Sequence, residues 1–121
     1  MKDEGLLVYV RELLDPLGNI SLRSMFGGHG VYCDGLFFAI VIDGRLYLKV
    51  DDETRARFKA VGSAPFVYQG KSASVEMSYW NAPEQAMDSA EDMRPWAQLA
   101  IAAALRKPVA KKRLPRLQPG R

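Results

Sequence analysis

Two Asp-Gly pairs, Asp34-Gly35 and Asp43-Gly44, stand between runs of β-branched and aromatic residues, and they restrict this chain more than any other feature. A two-residue hairpin that follows the twist of its strands needs positive φ at both central residues, which Asp-Gly supplies. The stretch from Arg23 to Val50 therefore reads as three strands in an up-and-down meander. Its last strand, Arg45-Leu46-Tyr47-Leu48-Lys49, alternates large apolar with amphipathic or charged residues, the pattern of one buried and one wetter face. The middle strand, Leu36-Phe37-Phe38-Ala39-Ile40-Val41-Ile42, is apolar at every position, which predicts cover on both faces. Helices of the same chain suffice for one face. A second chain is the economical cover for the other.

Around this meander the periodicity changes. Leu6, Tyr9, Val10, Leu13, Leu14 and Leu17 recur at three and four, laying one apolar stripe on a first helix that Asp15-Pro16 and Gly18 stop. Ile20 to Arg23 alternates as a short strand. Asp51-Asp52-Glu53 reads as the acidic opening of a second helix anchored by Phe58 and Val61. Phe66-Val67-Tyr68 and Val75 to Tyr79 form a further hairpin around Gln69-Gly70-Lys71-Ser72, and Asn81 to Glu84 a short helical turn. Ser89-Ala90-Glu91-Asp92 caps a last helix that turns Met93, Trp96, Ala97, Ala100, Ile101 and Ala104 inward, with Pro95 near its start. The fold class is α+β: a two-layer antiparallel sheet, meander plus hairpin, packed against helices.

Several motifs in this order carry a resemblance. Arg23, Met25-Phe26-Gly27-Gly28, Gly30, Tyr32 and Gly35 are followed by Asp43-Gly44 and Leu46-Tyr47-Leu48-Lys49. Pro65-Phe66-x-Tyr68, Met77-Ser78-Tyr79-Trp80 and Pro83 complete the set. The chain resembles the N-terminal domain of the TfoX (Sxy) competence-regulator family over roughly residues 5 to 105. The resemblance implies an architecture similar to YjbR-like and secretion-chaperone-like domains, in bacterial cytoplasmic proteins linked to transcriptional regulation. It supplies no catalytic residue.

Charge divides the chain unevenly. Of 17 basic and 14 acidic residues, every acid and ten of the bases precede residue 106, leaving −4 there and +7 over residues 106 to 121. We read residues 1–105 as one domain and 106–121 as a basic tail, whose prolines and like charges predict disorder in isolation. Arg106, Lys107, Lys111, Lys112, Arg113 and Arg116 are its candidate nucleic-acid contacts. No aromatic residue interleaves them to stack on bases. One cysteine, Cys33, fits a reducing compartment, the longest apolar run of seven residues is too short for a membrane span, and the acidic start lacks a secretory core, so the expected location is the cytoplasm.

Motifs that imitate chemistry dissolve on inspection. Gly27-Gly28-His29-Gly30 runs into a strand, whereas a phosphate-cradling loop opens onto a helix, so the glycines read as a turn or a close backbone approach beside a solvated loop histidine. On a strand His29 and Cys33 stand about 13 Å apart, too far for joint metal ligation. Gly70-Lys71-Ser72 lacks the earlier glycine of a phosphate loop, since Pro65 stands there. No nucleophile with a base and an orienting group emerges, and no cofactor is called for. The expectation is a non-enzymatic regulatory or adaptor protein that forms a homodimer or pairs with another regulator through its sheet. Tyr32, Phe37, Tyr47 and Trp80 are the aromatic anchors nominated for that interface. The alternative is a nucleic-acid-binding protein that works through the tail.

Overall fold

The computed structural model describes residues 4–25, 27–69 and 74–106. Helix α1 (Glu4–Leu14) runs into a 3-10 turn at Asp15–Leu17, where Pro16 ends regular helix. Strands β1 (Ile20–Met25), β2 (Gly28–Cys33), β3 (Leu36–Ile42) and β4 (Arg45–Lys49) follow as a continuous antiparallel meander. The short helix α2 (Arg55–Ala60) carries the chain to β5 (Pro65–Gln69), and β6 (Ser74–Asn81) returns between β4 and β5. The sheet order is thus β1-β2-β3-β4-β6-β5. A second 3-10 turn over Glu84–Asp88 leads to α3 (Ala90–Leu105). The α+β class and the meander-plus-hairpin sheet agree with the reading of the sequence.

Both Asp-Gly turns take the required backbone: φ is 51° at Asp34 and 85° at Gly35, 53° at Asp43 and 75° at Gly44. The register they impose has one irregularity. Val31 pairs with Ala39 while the next residue, Tyr32, pairs with Phe37, so Phe38 is an extra residue in β3. This bulge sends Phe38 and Ala39 both into the core, fully buried, and turns their neighbours Phe37 and Ile40 toward the opposite face.

The helices lie together on one side. Helix α3 packs Met93, Ala97, Ala100 and Ala103 against β3 and β4, the small alanines letting its axis approach the sheet. Trp96, Ile101 and Ala104 pack half-buried against the same core, and Ala103, which the spacing does not pick out, is fully buried. Ser89 caps it by accepting a 3.0 Å hydrogen bond from the Asp92 amide. The helix continues through the exposed Pro95, whose ring deprives only the Glu91 carbonyl of a partner. Val10, Leu13 and Leu14 of α1 join the same core, and the Tyr9 hydroxyl donates to the Met87 carbonyl. Phe58 of α2 meets Trp96 of α3 edge to face at 5.1 Å. Among the described residues no helix is long and apolar enough to cross a membrane.

Two expectations need correcting. The acidic triplet does not open α2, which starts at Arg55; instead the Asp51 carboxylate closes a turn by accepting from the amides of Glu53 and Thr54, both at 3.1 Å. The Gly27 to Gly30 segment is mostly strand, with β2 already begun at Gly28 and paired to Met25. His29 is accordingly a half-buried strand residue opposite Val41 and not a solvated loop histidine, and its Nδ1 is buried without a partner. The glycine reading itself holds. A Cβ on Gly28 would stand 2.3 Å from the Val41 carbonyl oxygen and 2.9 Å from Ile42 Cβ, so neighbouring strands can close only over hydrogen.

Gly28→Ala should therefore destabilise the domain by roughly 1–3 kcal/mol, the range of an overpacked interior, because the obstructing atom is backbone. A urea midpoint equal to that of the parent chain would refute this account of the glycine.

Candidate interaction surface

Alternation along the strands sorts side chains between the helix-covered face and its reverse. Val31, Ala39, Val41, Leu46 and Leu48 point under the helices. On the reverse face no described helix packs over the sheet, and its large side chains are half-buried. There the rings form a row across the strands. Tyr32 and Phe37 stack at 5.1 Å with planes inclined by 30°. Phe37 and Tyr79 follow at 5.6 Å and 35°. Tyr47 meets Phe66 at 5.2 Å in an edge-to-face contact.

Two cations lie against this row. The Arg23 guanidinium lies 5.1 Å over the Tyr32 ring, and Lys49 Nζ lies 5.2 Å from the centre of Tyr79 while donating to Ser78 Oγ at 2.8 Å. Burial lowers the Lys49 pKa, and Asp51 opposes that effect. Burial, with a smaller contribution from Tyr32, pushes the Tyr79 phenol up to about 12. Gly30 is the floor beneath the row: a Cβ there would stand 2.6 Å from Met25 Cε and 3.0 Å from the Phe37 ring. Arg23, Met25 and Gly30 of the sequence motif thus shape this face, whereas Gly28 secures strand packing and Gly27 takes positive φ in the turn. Phe26 lies outside the described residues.

Of the nominated anchors, Tyr32, Phe37 and Tyr47 stand on this face. Trp80 does not. It pairs with Leu48 and is 8% exposed within the core, because β6 register gives the open face to its neighbour Tyr79. Sequence reasoning missed Tyr79, Phe66, Arg23 and Lys49. The parity of Tyr79 against Trp80 was the available signal, but only the pairing of β6 with β4 decides which of the two faces out.

Arg106 has partners within the described residues. Its Nε and Nη2 donate to the two oxygens of Asp51 at 2.8 and 3.2 Å, and Nε lies 3.4 Å from Glu53, which ties the end of α3 to the turn before α2. This pair, with the Thr54 hydrogen bonds, holds the Asp51 carboxyl below the usual carboxylate range. Lys107, Lys111, Lys112, Arg113 and Arg116 lie outside the described residues.

Other chemistry finds little purchase. No group of three or more His, Cys, Asp or Glu among the described residues is placed to hold a metal ion. The space beside Gly28 and His29 is only about 10 Å³. A larger open cleft of about 370 Å³ lies where β4 begins, between Leu6, Leu46, Val61 and Met87. Cys33 is buried, and both burial and nearby Asp34 push its thiol pKa up, away from the reactive thiolate.

The chain is thus a small α+β domain with helices on one face of its sheet and a row of rings with neighbouring cations on the other. The chain belongs to the TfoX N-terminal domain family, whose pattern it matches over residues 12–104. It is 37% identical over 68 residues to DNA transformation protein TfoX1 of Aliivibrio fischeri, a match covering 56% of this chain and 32% of that protein. It is 31% identical over 74 residues to protein Sxy of Escherichia coli, covering 61% of this chain and 35% of the relative. The match thus spans about a third of the length of these curated relatives.

Two titrations check these environments. Asp51 has its pKa depressed by folding, so its contribution is present above the unfolded value of about 4 and is lost as pH falls through the lower folded value. Asp51→Asn should be less stable than the parent chain at neutral pH, and the gap should close below pH about 4; a gap independent of pH would contradict the ion-pair account. For Tyr79 the folded pKa is raised, so stability is full below about 10 and is lost as pH rises toward 12. Tyr79→Phe should abolish one late step in tyrosinate absorbance; an unchanged titration would show that the phenol is not shielded.

Proposed function

We propose that this chain is a non-enzymatic regulatory module of the TfoX and Sxy kind, acting in the bacterial cytoplasm by noncovalent recognition at its open sheet face. Support comes chiefly from the row Tyr32–Phe37–Tyr79, an array of the residue types that dominate interface energetics over which no described helix packs. The names of the relatives point to DNA transformation as the process. In a host whose own copy is deleted, the parent gene should restore transformation frequency and the associated transcripts. Tyr47→Ala combined with Arg23→Glu should lower that restoration at least tenfold while the purified variant keeps its circular dichroism and melting transition. Full restoration by this folded double variant would remove the face from the function.

A second reading follows from the charge division: the tail, with most of its +7, engages nucleic acid by itself. Shortening the chain after Arg106 separates the two readings, because face-mediated recognition survives that cut and tail-mediated binding does not.

A further inference from the structure

An open sheet ends in two strands whose outer backbone groups meet no neighbouring strand, and a protein either guards such an edge or uses it. Here the edges are β1 and β5. At β1 the edge is guarded. The Asn19 carbonyl accepts from the Asp34 amide, which turns the next carbonyl, that of Ile20, outward, and the Arg11 guanidinium donates to it at 2.9 Å. The strand itself carries the charge of Arg23. A capped carbonyl and a cation both discourage the addition of another strand.

Strand β5 has no such guard. Pro65-Phe66-Val67-Tyr68-Gln69 contains no charged residue, and it packs substantially against β6 alone. Val67 is 43% and Tyr68 56% exposed, and among the described residues they are the only large apolar side chains that stand exposed on a strand. Being adjacent, they lie on opposite faces, so the exposure belongs to the edge and not to either face. The irregularity between Pro65 and Val67 does not interrupt this edge. Over two residues of β5 its partner advances four, from Trp80 to Glu76, so the surplus residues belong to β6 and β5 runs on unbroken.

Composition selects the occupant. A strand without charge offers nothing for a charged foreign segment to answer, yet it can pair with itself without setting like charges opposite one another. Antiparallel self-pairing generates a two-fold axis, and an axis through Val67 places that side chain against its own mate. Phe66, which lies on the open face beside Tyr47, then stands opposite Tyr68 of the second copy, ring beside ring, at both symmetry-related positions. Glu76, the one acid within a strand among the described residues, stays one strand back from the seam, about 14 Å from its mate, where salt screens the repulsion.

We infer that β5 is a self-association edge, through which two copies of this chain join antiparallel into one continuous sheet about an axis at Val67. That axis is perpendicular to the sheet, so the open faces of both copies lie on the same side. The dimer goes beyond the recognition proposed for the open face and does not depend on what that face binds. One short strand per copy makes a small seam, and the association is therefore reversible and concentration-dependent.

The test is sedimentation velocity of the full chain over a roughly hundredfold range of concentration rising to about 1 mM. The parent chain should pass from monomer to dimer. Val67→Lys sets two ammonium groups against each other at the axis and should weaken the dimer roughly tenfold or more, whereas Ser24→Lys, with the same charge on the β1 edge, should leave it unchanged. Both positions are exposed, so circular dichroism and melting of these variants should match the parent. Under oxidation Val67→Cys should form a cross-linked dimer, because facing positions bring Cβ atoms within about 4.5–5.5 Å, and Ser24→Cys should not. The buried Cys33 makes the parent chain the blank. A parent chain that stays monomeric throughout would overturn the inference, whatever the open face does in the transformation assay. Dimerisation that Val67→Lys leaves intact, or that Ser24→Lys weakens equally, would overturn it and move the contact to another surface. A dimer that gives no Val67→Cys cross-link would overturn it as well, since the axis at Val67 is part of the claim.

Discussion

The register imposed at Asp34-Gly35 and Asp43-Gly44 is the constraint from which the remaining structure follows. Side chains of a strand alternate between faces, so a slip of one residue would exchange the buried set for the exposed one along a whole strand. With both turns held at positive φ, Val41 and Leu46 are opposite each other beneath α3, and Ile40 and Tyr47 are opposite each other on the reverse face. The core and the ring row are two products of the same pairing.

The bulge at Phe38 modifies that rule where the two layers make different demands. Without it, strict alternation would put Phe38 on the face opposite to Ala39. The extra residue lets both enter the core and returns Phe37 to the side of Tyr32 and Tyr79. Gly30 completes the arrangement from the neighbouring strand, because only hydrogen at its α-carbon leaves room for Met25 and the Phe37 ring to lie over the backbone. The uninterrupted apolar run of β3 thus serves a helix-packed layer and an aromatic outer face at once.

Charge follows the same division. Among the described residues the one acid within a strand is Glu76, and the strand cations Arg23 and Lys49 border the rings. Asp51 and Arg106 neutralise each other at the end of α3. That arrangement leaves Arg23 and Lys49 as the charges that a ligand of the open face would meet first. Their positions over Tyr32 and Tyr79 give them a fixed geometry that a solvated surface lysine lacks.

Local chemistry was enough to read the meander, its two turns and the first and last helices, because turn residues, periodicity and caps act over a few positions. The motif residues were also legible in order, and with them the family. Tertiary structure alone decided which side of β6 faces out, since Tyr79 and Trp80 are adjacent, equally aromatic and distinguished only by the pairing of Leu48 with Trp80. It alone revealed the Phe38 bulge, because nothing in a continuous apolar run marks where the extra residue goes. It also decided that Arg106 is a structural tie, as its partner Asp51 is remote in sequence and becomes adjacent only when α3 closes over the sheet. Patterns within one element can be read from the chain, whereas partnerships between elements require the register and packing that bring them together.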